Sequence, residues 1–149
     1  MAESVDARDT RPVVDVPAPT AVSERLGLPV GGDVLMRHLR FLVDEHPVQL
    51  VKAYYDPVVV AGSQLGEPVL IAGGVHGELS RRGVRVTRFV EEFAGARLPE
   101  PDEERELRLP DGVPVIRNIR TAYEDERPVE VMDTICHGEV VSFRFEIAL

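Results

Sequence analysis

The stretch that decides the fold reads VPVIRNIRTAYEDERPVEV over residues 113–131. β-Branched and aromatic residues fill its first arm, and a charged cluster at 124–127 interrupts them. Pro128 opens the return arm, where an edge or strand-start position tolerates the missing backbone N–H. The pattern predicts two antiparallel strands joined by a polar turn.

The chain contains this unit twice. An earlier copy begins at residue 26 and a later copy at residue 107. Arg37 and Arg117 are offset by 80 positions (117 − 37), whereas Pro47 and Pro128 are offset by 81 (128 − 47). The difference predicts a turn that is one residue longer in the later copy.

Turn length decides which side chains share a face, because a slip of one residue turns every side chain of a strand over. A two-residue turn at 44–45 would bring Arg40 opposite Gln49. A three-residue turn at 125–127 would put Arg120 and Glu130 on the same face. We therefore predict two pseudo-symmetric polar pairs, Arg40/Gln49 and Arg120/Glu130, on one face of the sheet.

Composition excludes several classes of function. The chain has 149 residues with 26 acidic against 17 basic side chains, and its net charge of -9 argues against a nucleic-acid surface. No apolar run approaches the roughly 20 residues that span a bilayer, and the first residues do not resemble a signal peptide. The lone Cys136 and four scattered histidines predict no disulfide, no metal site and no cofactor. We expect a cytoplasmic protein with no membrane contact.

The rest of the chain supplies short elements around the two hairpins. We expect a flexible tail over residues 1–17 and one domain over residues 18–149. Short helices are predicted over 21–26, 74–83 and 102–107, a strand over 84–93 and a closing, central strand over 140–147. The predicted fold class is α+β: an antiparallel sheet of about six strands with helices on one side, built from two pseudo-symmetric helix-hairpin units.

Several motifs together resemble one known family. They are Leu-x-Leu-Pro-x-Gly-x-x-Val, present in both copies, Arg-Thr-x-Tyr at 120–123, Arg-Pro-Val-Glu-Val at 127–131 and Phe-x-Phe at 143–145. This pattern, over residues 18–147, resembles the UTRA domain, the effector-sensing half of GntR-type (HutC-like) bacterial transcription regulators. The resemblance implies a chorismate lyase-like fold, a homodimer, and a small-molecule pocket between the hairpins and the helix start at 74–76.

The chain departs from that family in two respects. GntR regulators carry an N-terminal winged helix-turn-helix, which residues 1–19 are not expected to form, so we expect no direct nucleic-acid contact by this chain. Family members that bind sugar phosphates place Arg at positions that fall on Leu39 and Phe41 here. The resemblance therefore favours a carboxylate-bearing or apolar metabolite as effector over a phosphosugar.

Four of the candidate ligand-binding residues form the two predicted polar pairs of the hairpins. Arg40 and Arg120 could clamp a carboxylate through two hydrogen bonds, or could instead form ion pairs, Arg120 with Glu130 for instance. Glu130 matches a ligand-contacting glutamate of the family and could accept from a hydroxyl or amine. Gln49 could do the same in the other copy, or be an ordinary exposed strand residue.

Three of the other candidates come from one helix start, and the last, Tyr54, comes from the return arm of the first hairpin. Gly74, Val75 and His76 form a glycine-rich helix start that could bind an anion, although many such starts bind nothing. Tyr54 is a candidate pocket wall or a core residue.

A sensor domain is the function we expect, with two alternatives. The related lyase fold hosts chemistry, and Glu130 or His76 could act as general acid or base, but no constellation of nucleophile and base is visible. A stand-alone lyase- or cyclase-like enzyme and a purely structural dimerisation module therefore remain as alternatives. A sensor should bind a metabolite unchanged, whereas an enzyme should convert it.

Overall fold

The computed structural model describes residues 5–10 and 13–149, which form one antiparallel sheet with short helices around it. The strands are β1 (Val5–Thr10), β2 (Val14–Pro17), β3 (Asp33–Val43), β4 (His46–Tyr55), β5 (Arg88–Arg97), β6 (Val115–Glu124) and β7 (Arg127–His137). They run in the order β1-β3-β4-β7-β6-β5, and β2 pairs with β3 outside this path. The predicted α+β class and its antiparallel sheet are confirmed.

The helices are short, and the first of them ends at a glycine; the helix predicted over 74–83 ends two residues earlier, at Arg81. They are α1 (Thr20–Leu26), α2 (Pro57–Val60), α3 (Gly74–Arg81) and α4 (Pro101–Leu107), with a 3-10 turn at Gln64–Gly66. Gly27 ends α1 with a φ of 65°, the left-handed conformation that glycine adopts without strain. Glu100 and Glu103 form a capping box at the start of α4, which satisfies backbone N–H groups of its first turn.

The strand register divides the side chains of the sheet between two faces. Gln49, Arg120 and Glu130 lie on one side, which we call the Glu130 face. Tyr54 and Ile119 lie on the other side, which we call the Tyr54 face. The central strands β4 and β7 carry buried residues on both sides. Other elements must therefore shield both faces of the sheet from water.

Helices provide that cover on both faces. On the Tyr54 face, α1 buries Val22 and Leu26 in a cluster with Tyr54, and α4 packs Leu107 in a second cluster. On the Glu130 face, α2 and α3 bury a third cluster that includes Leu79. The predicted placement of helices on one side therefore applies to α1 and α4 but not to α2 and α3.

The first hairpin contains a β-bulge that the sequence pattern does not reveal. Its turn has two residues, as predicted, but Val48 is an extra residue in the return arm. Gln49 consequently pairs with Phe41 and not with Arg40. Because a shift of one residue turns the strand over, Arg40 and Gln49 lie on opposite faces, and the predicted Arg40/Gln49 pair is wrong.

The later hairpin contains the equivalent bulge. Its turn has two residues and not the three predicted, since Glu124 pairs with Arg127. Val129 is then the extra residue of the return arm. The extra residue shifts the rest of the return arm by one position, as a three-residue turn would have done. Arg120 and Glu130 therefore share a face, as predicted.

Equal turns make the duplication regular. Leu26 and Leu107, like Asp44 and Asp125, are offset by 81 residues (107 − 26, 125 − 44). With that offset the counterpart of Gln49 is Glu130. The two helix-hairpin units, α1-β3-β4 and α4-β6-β7, are therefore pseudo-symmetric, as predicted, and their polar residues Gln49 and Glu130 both reach the Glu130 face.

The two ends of the chain differ from the sequence-based expectation. In place of a flexible tail over 1–17, Val5–Thr10 and Val14–Pro17 pair with β3 and extend the sheet at its edge, while the rest of the tail lies outside the described residues. The predicted strand over 140–147 does not form. β7, at the centre of the sheet, already pairs with β4 and β6, so no central position remains for it.

Arg37 fixes the loop that precedes α3. Its side chain is buried on the Glu130 face, and burial lowers its pKa. The guanidinium donates to three backbone carbonyls, those of Leu65 at 2.8 Å, Glu67 at 2.7 Å and Val69 at 2.7 Å. One cation in the sheet thereby holds a loop that has no regular structure beyond its 3-10 turn.

Candidate functional site

A buried carboxylate lies at the centre of the Glu130 face. Glu130, on β7, is 1% exposed. Its Oε2 accepts a hydrogen bond of 2.5 Å from the Tyr55 hydroxyl on β4, and its Oε1 lies 3.1 Å from Nε2 of His76 on α3. The Tyr55 contact is short, as expected where one partner is ionised, whereas the His76 contact has an ordinary length. Three elements of the fold therefore meet at one carboxyl group.

These contacts shift the titration of both partners of Glu130. The hydrogen bond to Glu130 raises the pKa of His76, against the opposing effect of burial. Burial, then the neighbouring Glu130, raises the pKa of Tyr55 well above its ordinary value. Tyr55 thus remains a hydrogen-bond donor at neutral pH, and His76 stays protonated to higher pH than a free imidazole.

Glycines place His76 over the sheet. Gly73 and Gly74 have φ values of 80° and 78°, in the left-handed region, and α3 begins at Gly74. The N–H of Gly74 donates to the carbonyl of Ile71 at 2.9 Å, and Val75 packs against the cluster below α3. In this structure the imidazole of His76 is the group of this segment that reaches Glu130.

Beside Glu130, an aromatic ring stands between two basic side chains. The ring centroid of Phe89 lies 5.4 Å from that of His76 and 4.9 Å from the guanidinium carbon of Arg120. Arg120 donates through Nε and Nη2 to Oε1 of Glu91, at 3.1 and 2.8 Å. The ion-pair alternative for Arg120 thus holds, with Glu91 as the partner in place of Glu130.

A cleft of about 180 Å³ opens on the same face. Its apolar wall includes Phe41, Met132 and Phe143, and its polar groups include Gln49, Asn118 and Arg120. Burial raises the pKa of Cys136 at its floor, and the amide of Gln49 lies 3.5 Å from the thiol sulphur. The cleft therefore combines apolar surface with several polar groups, among them Glu91, the partner of Arg120.

Two predicted site residues lie away from this site. Tyr54 is on the opposite face, 5% exposed, in the cluster with α1. Arg40 is also on that face, where its Nη1 donates to the carbonyl of Glu106 at 3.2 Å. The residue missed from the sequence is Tyr55, which follows Gln49 by an even number of positions and so shares its face.

A larger cleft of about 350 Å³ lies on the Tyr54 face, and four of its charged side chains form two ion pairs. Arg117 bonds to Asp133 through two contacts of 3.0 and 2.7 Å, and Arg97 to Glu103 through two of 2.7 Å. A ligand there would have to displace these ion pairs. Among residues 5–10 and 13–149, no group of three or more acidic, His or Cys side chains is placed to hold a metal ion.

The match to a family model decides what kind of domain this is. The model for the UTRA domain matches residues 12–142, most of the chain. The chain belongs to the UTRA domain family. UTRA domains are the effector-binding domains of GntR-family transcriptional regulators and not enzymes, so the catalytic alternative falls away.

Relatives and solved structures agree with this assignment. An uncharacterised HTH-type transcriptional regulator of Streptomyces coelicolor, SCO4628, is 32% identical over 115 residues, which cover 75% of this chain and 42% of that protein. This chain thus spans less than half the length of that relative.

Two solved structures share the fold. The ligand-binding domain of a GntR-family regulator from Bordetella bronchiseptica has a TM-score of 0.85 at 19% identity, covering 99% of this chain and 91% of that one. PhnF from Mycobacterium smegmatis has a TM-score of 0.83 at 22% identity, covering 97% and 63%. In the part of the chain that the structure describes, no helix is long and apolar enough to cross a membrane.

Proposed function

We propose that this UTRA domain senses a small carboxylate-bearing or apolar metabolite on the Glu130 face. It would act in the cytoplasm, as part of a GntR-family regulator, and pass the binding signal through a homodimer to a DNA-binding domain. The observation that carries the proposal is the buried Glu130, held by Tyr55 and His76 beside an open cleft. A buried carboxylate with two donors is costly to maintain, and such groups concentrate at functional sites.

The charges around the cleft favour the proposed class of effector. His76 and Arg120, which are bonded to Glu130 and Glu91, lie on either side of the Phe89 ring, so a carboxylate attached to an apolar body would bind here by replacing Glu91 as the partner of Arg120. Leu39 and Phe41, on the same face, add apolar surface at the positions where sugar phosphate-binding members place Arg. A sugar phosphate would lack the two Arg side chains that phosphosugar-binding members place at these positions.

The test is a thermal-shift and calorimetric screen of the 149-residue chain with three ligand panels: small carboxylates, neutral apolar metabolites and sugar phosphates. We expect stabilisation by a member of the first two panels, amounting to about 2.7 kcal/mol when the ligand is present at a hundred times its Kd. Binding of sugar phosphates alone, or of no ligand from any panel, would overturn the proposed effector class.

Two matched arginine variants locate the site. Arg120→Met and Arg117→Met each remove a cation of β6 that is bonded to an acidic neighbour, on the Glu130 and Tyr54 faces respectively. We expect a carboxylate ligand to lose at least tenfold in affinity in Arg120→Met and little in Arg117→Met. The reverse order would move the site to the Tyr54 face.

A further inference from the structure

Arg120 and Glu91 form an ion pair inside the cleft of the Glu130 face. The two residues lie directly opposite each other on β6 and β5, and both line the cleft. Nε and Nη2 of Arg120 and the amide Nδ2 of Asn118 all donate to one atom, Oε1 of Glu91, at 3.1, 2.8 and 3.4 Å. The cleft therefore contains a set of donors that binds a carboxylate, and a side chain of the protein occupies it.

A ligand in the cleft can reach both members of this pair. The side chains of Arg120 and Glu91 are 38% and 26% exposed. Among the described residues, every donor to Glu91 reaches Oε1, which leaves Oε2 able to accept a hydrogen bond from a ligand. The ion pair is thus a point at which a ligand can exchange partners with the protein.

A ligand whose only charge is a carboxylate fits this pair poorly. To reach Arg120 it must displace Glu91, and the displaced carboxylate then lies beside the negative charge of the ligand without a cation of its own. Two like charges at one site repel each other, and the net charge of -9 on the chain adds to this repulsion. A ligand that replaces Glu91 must therefore also provide a new partner for it.

A ligand that carries both charges satisfies both members of the pair. We propose that the effector is an α-amino acid with an apolar side chain, which binds as a zwitterion by insertion between Arg120 and Glu91. Its carboxylate replaces Glu91 as the acceptor for Arg120 and Asn118, and its ammonium donates to Glu91. Every charge keeps an opposite partner, and the net charge of the site does not change. The inference rests on the proposed function, because it names the class of effector for the same cleft.

The strand register sets the spacing of the two ligand charges. Side chains directly opposite each other in antiparallel strands start from Cβ atoms only about 4.5–5.5 Å apart, and Arg120 and Glu91 are such a pair. An ammonium and a carboxylate on the same carbon atom can contact both side chains at once. A zwitterion with widely separated charges, such as ε-aminocaproate, matches this spacing less well.

The rest of the cleft selects the side chain of the amino acid. Of the described residues that line it, only Glu91 and Arg120 are charged, so a third charge on the ligand would find no partner. Phe41, Met132 and Phe143 provide apolar surface beside the ion pair. The cleft of about 180 Å³ therefore favours a small ligand with an apolar side chain over an acidic or basic amino acid.

Calorimetry of the 149-residue chain with matched ligands tests the proposal. The probes are L-leucine and L-phenylalanine, the corresponding acids without the amino group (isocaproate and hydrocinnamate), and the corresponding amines without the carboxylate (isoamylamine and phenethylamine). We expect at least one amino acid to bind, about tenfold more tightly than its own acid and its own amine, because only the zwitterion keeps both side chains paired. ε-Aminocaproate should bind more weakly than that amino acid.

Glu91→Gln distinguishes recognition of the ammonium from an ordinary ion pair of the sheet. This variant removes the partner of the ammonium and leaves Arg120 without its anion. We expect the amino acid to lose about tenfold in affinity and its acid to gain, so that the order of the two ligands reverses. The matched control is Asp133→Asn, which removes the acidic partner of Arg117 on the Tyr54 face and should change neither affinity.

The outcomes separate this inference from the proposed function. Isocaproate or hydrocinnamate binding as tightly as its amino acid would overturn the α-amino acid and leave the carboxylate site standing. If Glu91→Gln changes both ligands alike, Glu91 does not bind the ammonium and the inference fails. Binding of neither amino acid also overturns it, while the panel of small carboxylates decides separately whether the proposed effector class holds.

Discussion

Two neighbouring side chains hold Glu130 in position, and Tyr55 makes the shorter hydrogen bond of the two. The Tyr55 hydroxyl is fully buried and donates to the carboxylate at 2.5 Å. We predict that Tyr55→Phe lowers the free energy of unfolding by about 1.5–3 kcal/mol, because a hydrogen bond to a charged group is lost while the ring stays. Urea unfolding measures the change.

The matched control is the adjacent residue. Tyr54→Phe removes a hydroxyl on the Tyr54 face that makes no contact with Glu130. We expect its effect on stability to be smaller than that of Tyr55→Phe. Equal losses in the two variants would mean that the bond to Glu130 contributes nothing specific.

His76 should make stability depend on pH in one direction. Its pKa is raised in the folded protein by the hydrogen bond to Glu130. A raised pKa stabilises the fold fully below the unfolded value of about 6.5, and this contribution is lost as pH rises through the folded pKa. The stability difference between wild type and His76→Gln should therefore be largest near pH 5.5 and shrink toward pH 9.

Urea unfolding at a series of pH values tests this dependence. His46→Gln is the control, since His46 is exposed at the start of β4 and its Nδ1 lies 2.8 Å from the Asp44 carbonyl. A difference for His76→Gln that stays constant from pH 5.5 to 9 would refute the proposed coupling to Glu130.

At the scale of elements, the backbone just after β7 lies in close contact with the backbone just before β6. The N–H of Gly138 donates to the Pro114 carbonyl at 2.9 Å, and a Cβ at this glycine would collide with the same carbonyl oxygen. We predict that Gly138→Ala costs about 1–3 kcal/mol, because backbone must move to relieve the contact. Thermal or urea unfolding measures it.

Gly66 provides the control for that prediction. It ends the 3-10 turn, and a Cβ there would meet no atom within 4 Å. Gly66→Ala should change stability by less than about 0.5 kcal/mol. If Gly138→Ala is equally mild, the close approach to Pro114 does not constrain the backbone as described.

The elements also divide into those that the sequence could and could not predict. The presence of α1, α3 and α4 was readable, and so was the end of α1, because Gly27 acts locally, whereas their other ends were predicted only to within one or two residues. The bulges at Val48 and Val129 were not, because a bulged valine looks like any strand valine. That one ambiguity misplaced Arg40 relative to Gln49, whereas Glu130 was found through the family resemblance.

At the scale of the molecule, the order of the strands predicts which backbone amides exchange most slowly with solvent. β7 lies between β4 and β6, with Val129, Val131 and Cys136 fully or almost fully buried. Amide protons of β7 should exchange only by global unfolding, and those facing outward from β5 should exchange much faster in a dilute sample. Hydrogen exchange followed by mass spectrometry measures both.

Arg37 has a consequence for how such a domain can diversify. All three of its acceptors are backbone oxygens, those of Leu65, Glu67 and Val69. Arg37 therefore fixes the backbone of this loop and does not depend on which side chains the loop carries. The residues at 66–68, for example, are exposed. Substitutions can accumulate there under selection for new ligands, close to the helix that carries His76, while the architecture is inherited unchanged.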